Sequence, residues 1–144
     1  MMMTDMTDIP KGTVLLVDDD SFLADMYTAH LTQQGFSVHE SLGAAAGLEA
    51  LRGGFVPDVI VFDIMMPDMD GFAFIDTVKQ EGLAPQARLI ALTNDPLDGK
   101  KERLEALGAL HLVKATTEPS DLVAAIVGGI SGGDKGTAGV VDTV

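Results

Sequence analysis

The stretch Val14-Leu15-Leu16-Val17-Asp18-Asp19-Asp20 sets an unbroken apolar run against three consecutive acids, and the same change of character recurs three times further along the chain. Val59-Ile60-Val61-Phe62 stops at Asp63, Leu89-Ile90-Ala91-Leu92 at Thr93, and Leu110-His111-Leu112-Val113 at Lys114. The runs at Val14 and Val59 are continuous and suit short strands buried on both faces, as central strands of a parallel sheet are. If the runs are parallel neighbours, their polar ends collect outside the carboxyl ends of the strands, where open α/β sheets bind ligands. Three carboxylates, a hydroxyl and an ammonium would then share one pocket, a set suited to metal-assisted chemistry.

Between the runs the period changes from strand to helix. A first helix is expected from Asp20 to Gln34, with Phe22, Leu23, Met26, Tyr27 and Leu31 as its apolar stripe and Gly35 as its stop. Phe36-Ser37-Val38-His39 alternates and reads as a half-exposed edge strand. Further helices are expected over Ala44 to Leu51, after the turn Pro67 to Gly71 with Phe74, Ile75 and Val78 inward, and over Gly99 to Leu107 with Thr93 or Asp95 as a possible cap. The last runs from a cap at Ser120 or Asp121, with Leu122, Val123, Ile126, Val127 and Ile130 inward. Alternating strands and helices imply right-handed βαβ units. The expected fold is α/β: a doubly wound, five-stranded parallel sheet in the order 2-1-3-4-5, of flavodoxin-like topology, with five helices.

A chain of 144 residues accommodates one such domain, expected over residues 12–130. Residues 1–11 read as a disordered leader and residues 131–144 as a flexible glycine-rich tail, too short for an output domain. No cysteine is present, so a disulfide framework, thiolate metal sites and a cysteine nucleophile are excluded. The formal net charge of -13 opposes direct contact with nucleic-acid phosphates. Neither a membrane span nor a signal-peptide pattern is apparent, and a cytoplasmic location is expected.

Phosphate-cradling glycines are missing after the first strand, where Asp18, Asp19 and Asp20 stand instead. Two like charges about 4 Å apart repel by roughly 4 kcal/mol at an effective dielectric near 20. Asp18, Asp19 and Asp63 therefore share a site only if one holds a proton or a divalent cation binds. Oxygen-only donors select a hard ion, and Mg²⁺ is expected. Taken singly, each residue has a plainer reading: the triplet as a helix cap, Asp63 as a strand-end turn residue, Lys114 as a surface lysine. Asp20 is expected to be the cap itself.

Four segments together carry a family resemblance: Val14-Leu15-Leu16-Val17-Asp18-Asp19, Asp63-Ile64-Met65-Met66-Pro67-Asp68-Met69-Asp70-Gly71, Ala91-Leu92-Thr93 and Leu112-Val113-Lys114. In order and spacing they resemble the receiver domains of two-component response regulators, the family of the chemotaxis response regulator, over about Gly12 to Ile130. The resemblance implies that Asp63 is the phosphoacceptor. It implies that Asp18 and Asp19, with Asp63 and the Met65 main-chain carbonyl, hold Mg²⁺. Thr93 would bind the phosphoryl group through its hydroxyl, and Lys114 would pair with Asp63 or the phosphoryl oxygens. It further implies a sensor histidine kinase or histidine phosphotransfer protein as phosphodonor, and slow hydrolysis that resets the site. Output would be binding of a downstream protein through the fourth helix, fifth strand and fifth helix, Lys100, Lys101 and Arg103 included. The chain is then expected to be a stand-alone receiver, not an enzyme in the usual sense, and a monomer or weak dimer.

Three positions depart from the family pattern. Ala115 follows the lysine where proline is usual, Asn94 replaces a small residue, and His111 stands where an aromatic switch residue is common. His111 is a switch candidate, with a plain edge-strand histidine as the other reading. Among rivals, an EF-hand loop over Met66 to Thr77 lacks acids at both ends. An aspartate-nucleophile phosphatase needs a second Asp where Met65 stands, and a flavin module needs a hydroxyl-rich first loop. A receiver-like binding module independent of phosphorylation stays open.

Overall fold

Alternation of buried strands and amphipathic helices runs through the whole of the computed structural model, which describes residues 12–94 and 100–130. In chain order the elements are β1 (Thr13–Val17), α1 (Ser21–Gln33), β2 (Ser37–Ser41), α2 (Ala44–Arg52) and β3 (Val59–Asp63). They continue with α3 (Gly71–Gln80), β4 (Arg88–Thr93), α4 (Lys100–Ala106), β5 (Ala109–Val113) and α5 (Pro119–Ile130). The five strands form one parallel sheet in the order β2-β1-β3-β4-β5, as the apolar runs predict. The leader over residues 1–11, the tail over 131–144 and the possible cap at Asp95 lie outside the described residues.

Period-two alternation splits each buried strand between two cores. Leu15, Val17, Ile60, Phe62 and Ala91 face α2, α3 and α4, while Val14, Leu16, Val59, Val61, Ile90 and Leu92 face α1 and α5. Each such fully buried Leu, Ile, Val or Phe contributes about 1.5–3 kcal/mol of transfer free energy. β2 lies at the sheet edge with an alternating exposure pattern, as its sequence alternation predicts.

Two helical stripes differ from expectation. Phe22 is 77% exposed and Met26 is also exposed, while Ala24, Tyr27 and Leu31 form the buried face of α1. At 3.6 residues per turn, Phe22 and Met26 lie about 180° and 140° round the helix from Leu31, so no single stripe holds all five residues. Val127 is exposed on α5 for the same reason: Leu122, Ala125 and Ile126 already define its inner face. The Ile130 side chain lies outside the described residues. α5 starts earlier than expected, with Pro119 in the first turn, where its missing N–H costs nothing, and with Asp121 Oδ2 accepting from the Glu118 amide at 2.8 Å.

Candidate functional site

Sheet register assembles the site. Val17 pairs with Phe62, Phe62 with Ala91, Asp63 with Leu92, and Thr93 with Val113. Asp18, Asp63, Thr93 and Lys114 therefore stand at the carboxyl ends of β1, β3, β4 and β5, at one edge of the sheet.

Short hydrogen bonds fix each acidic loop. The Asp18 amide donates to the Ser41 carbonyl (3.1 Å), and Asp18 Oδ1 accepts from the Asp20 amide (2.9 Å). Asp20 caps α1, its carboxylate accepting from the amides of Phe22 and Leu23. Asp63 Oδ1 accepts from the Met65 amide at 3.2 Å. Beyond Met65 the loop is strapped at two points. Asp68 reaches α2, accepting from the Ala45 amide (2.9 Å) and the Ala44 amide (3.4 Å). The helix needs this help, because its own N-cap is Gly43, at φ 128°, which has no side chain to offer. Gly71 then presses α3 onto the end of β3: a Cβ there would sit 2.6 Å from the Asp63 carbonyl oxygen. Only glycine lets the two backbones approach so closely.

Carboxylate oxygens of Asp18, Asp19 and Asp63 lie within 4.8 Å of one another. Asp18 and Asp63 are buried, whereas Asp19 is exposed and opens the cluster to solvent. Lys114 Nζ donates to Asp63 Oδ2 at 3.1 Å and stands 3.3 Å from Asp18 Oδ2. That second contact is an ion pair without hydrogen-bond geometry, which leaves the buried Asp18 Oδ2 with no hydrogen-bond donor among the described residues. Burial pushes the Asp63 carboxyl up to about 6; Lys114 pulls it down, while the Asp18 charge adds to the rise. For Lys114, burial works against the charged form, but Asp63 and Asp18 outweigh it and raise its pKa.

Of the residues singled out from sequence, Asp18, Asp19, Asp63 and Lys114 come together. Thr93 is buried at the same edge, its hydroxyl donating to the Leu112 carbonyl (3.4 Å) on the neighbouring strand. The Met65 backbone is held against Asp63, while its side chain is 55% exposed. His111 is half-buried on β5, opposite Ala91 in register and alternating with the core-facing Leu110 and Leu112. After Lys114 the chain makes a 3-10 turn over Lys114–Thr116, with no cis peptide among the described residues. Arg103 is exposed but not a bare charge, since its guanidinium lies 4.0 Å above the Phe72 ring. The Lys100 side chain lies outside the described residues. Sequence reading missed Asp68 as the cap of α2 and Tyr27 as a polar neighbour of the Lys114 turn, both pairings between residues far apart in the chain.

Comparison with known proteins agrees with this geometry. The sequence model described as "Response regulator receiver domain" matches residues 14–127. Regulatory protein VanRc of Enterococcus gallinarum is 30% identical over 113 residues, covering 78% of this chain and 47% of that protein. A protein-glutamate methylesterase/protein-glutamine glutaminase of Archaeoglobus fulgidus is 36% identical over 104 residues, covering 69% and 28%. The chain thus spans less than half the length of these relatives. Among solved structures, a CheY-like response regulator receiver domain protein from Methanospirillum hungatei superposes with a TM-score of 0.76 at 24% identity, over 88% of this chain and 98% of that one. Chemotaxis response regulator CheY4 of Vibrio cholerae gives a TM-score of 0.72 at 28% identity, over 82% and 96%. With the family match covering all five strands and the acidic edge, the chain belongs to the response regulator receiver domain family.

Proposed function

We propose that Asp63 accepts a phosphoryl group from a phosphohistidine, on a sensor histidine kinase or a histidine phosphotransfer protein, in a Mg²⁺-dependent reaction. The observation that carries this reading is the Lys114 ammonium 3.1 Å from Asp63 Oδ2, within a cluster of three carboxylates at the sheet edge. An Asp63 oxygen attacks phosphorus, and the bond from phosphorus to the donor imidazole nitrogen breaks. Attack needs the ionised carboxylate, and a pKa of about 6 leaves Asp63 ionised at neutral pH.

The residues fit a divalent cation. Three carboxylates surround one small volume, Asp18 Oδ2 is buried without a hydrogen-bond donor among the described residues, and the ligand set is oxygen alone, which favours Mg²⁺ over softer ions. Asp18, Asp19 and Asp63 would hold it, with the Met65 main-chain carbonyl as the proposed further ligand. Bound there, Mg²⁺ supplies charge neutralisation for the phosphoryl oxygens. Lys114 offers a second positive group to the same oxygens, and Thr93 a hydroxyl once it turns from the Leu112 carbonyl. Slow hydrolysis would reset Asp63.

Output is proposed to be phosphorylation-dependent binding of a downstream protein through α4, β5 and α5, with His111 as the switch candidate on β5. On this reading, residues 12–130 act as a cytoplasmic receiver, monomeric or weakly dimeric. No helix of the described residues is long and apolar enough to cross a membrane. The test is intact mass after incubation with acetyl phosphate, with and without Mg²⁺. Gain of one phosphoryl group by the wild type only with Mg²⁺, and no gain by Asp63→Asn, is expected; an equal gain by both proteins would remove Asp63 from its role.

A further inference from the structure

Tyr27 is the chain's single tyrosine, and it is buried in α1 with only 2% of its surface exposed. Its ring packs in the core between α1, α5 and the sheet. The hydroxyl crosses to the connection between β5 and α5 and donates to the Thr117 carbonyl at 3.4 Å, a partner 90 residues away. A buried hydroxyl without a partner is costly, so this long hydrogen bond ties α1 to that carbonyl.

Thr117 is the residue that closes the turn carrying Lys114. Its amide donates to the Lys114 carbonyl (3.4 Å), and its hydroxyl donates to the Val113 carbonyl (2.6 Å). Thr116 adds a second hydroxyl to the same Val113 carbonyl (3.4 Å). Both main-chain carbonyls at the root of the lysine are therefore gripped from Thr117, and Thr117 is gripped from Tyr27. Directly after Lys114 stands Ala115, which leaves φ free where a proline ring would fix it. Lys114 sits at the end of a long flexible stem, and its ammonium must meet two buried carboxylates at 3.1 and 3.3 Å. How the root of that stem is held decides where the ammonium spends its time. Burial pushes the Tyr27 hydroxyl pKa up, with Lys114 pulling it down and Asp18 adding to the rise, so the phenol already feels the site's charges.

We propose that Tyr27 is a positioning residue of the phosphoryl site: its hydroxyl on the Thr117 carbonyl holds the 3-10 turn that presents the Lys114 ammonium to Asp63 and Asp18. This rests on the reading of Asp63 as phosphoacceptor, but the contact itself is tested independently of that chemistry. Tyr27→Phe keeps the ring in the core and removes only the hydroxyl. Thr117→Val removes the clamp on Val113 and is expected to act in the same direction.

Two measurements decide it. Crystal structures of the wild type and Tyr27→Phe should show the turn over residues 114–116 displaced in the variant and the ammonium withdrawn from Asp63. With acetyl phosphate and Mg²⁺, the rate at saturating donor should fall about 3- to 10-fold. The half-saturating donor concentration and the Mg²⁺ affinity should stay unchanged, because the carboxylates are untouched. Lys114 in its wild-type place in the variant, or a wild-type rate, would overturn the proposal. A parallel loss of Mg²⁺ affinity would overturn it too, since it marks a general loosening of the site. A wild-type chain that takes no phosphoryl group would overturn the reading of Asp63, and the position of Lys114 in Tyr27→Phe would then decide the proposal alone.

Discussion

Asp63→Asn should make the metal-free protein more stable at pH 7.5, although it removes a salt-bridge partner of Lys114. Asp63 titrates at about 6 in the folded chain against 3.8 for an ordinary aspartate. A folded-state carboxyl raised above its unfolded value favours folding only while protonated. That contribution is full below pH 4 and is lost as pH rises through about 6. Above that, the ionised side chain costs the fold up to about 3 kcal/mol, taking 1.36 kcal/mol per pKa unit. Asp19 opens the cluster to water, and solvent screening reduces the figure to about 1–2 kcal/mol. Asparagine keeps the shape and drops the charge, and Asp18 remains 3.3 Å from the ammonium. Urea unfolding followed by far-ultraviolet circular dichroism, in chelator, at pH 4 and pH 7.5, reads the difference. The variant should lead by about 1–2 kcal/mol at pH 7.5 and by no more than about 0.4 kcal/mol at pH 4. A variant less stable at pH 7.5, or a lead at pH 4 as large as that at pH 7.5, would refute the reasoning.

Three further perturbations address the supports of the site. Asp68→Ala removes the carboxylate from the start of α2 and should cost about 0.5–2 kcal/mol in thermal or urea unfolding at pH 7. Its pKa is held down chiefly by the Ala45 amide, with the Ala44 amide adding, so this stabilisation is present above the unfolded value and fades as pH falls through the folded one; equal stability of both proteins at pH 7 would contradict it. Gly71→Ala forces a methyl against the Asp63 carbonyl oxygen and the Ile64 Cα, both backbone, and should cost more than about 3 kcal/mol or abolish folding, as expression and melting would show. Lys114→Ala leaves the three carboxylates in place, so Mg²⁺ binding by calorimetry should persist while phosphorylation slows by about tenfold or more; a wild-type rate would remove the ammonium from its assigned part.

The sheet was legible because its central strands are buried on both faces, which forces continuous apolar runs such as Val59 to Phe62, and because a parallel register aligns their polar ends. The acidic edge followed from that same alignment. Helix faces were less legible. Phe22 and Met26 are apolar enough to look inward, but only the position of the core decides which side of α1 is buried, and that side holds Ala24, Tyr27 and Leu31. The cap of α2 could not be read locally, since Gly43 offers no side chain and the carboxylate comes from Asp68 on a different loop. Tyr27 is similar: its sequence position marks a core residue, and its polar role exists only because the fold lays Thr117 beside it.

The central claim is that one carboxylate, Asp63, carries the phosphoryl group. Its most direct test is hydroxylamine trapping after reaction with acetyl phosphate and Mg²⁺, followed by peptide mapping, since hydroxylamine converts an acyl phosphate to a hydroxamate on the residue that held it. A hydroxamate at Asp63 alone is the expected result. A hydroxamate at Asp18 or Asp19, or at no residue of the chain, would contradict it.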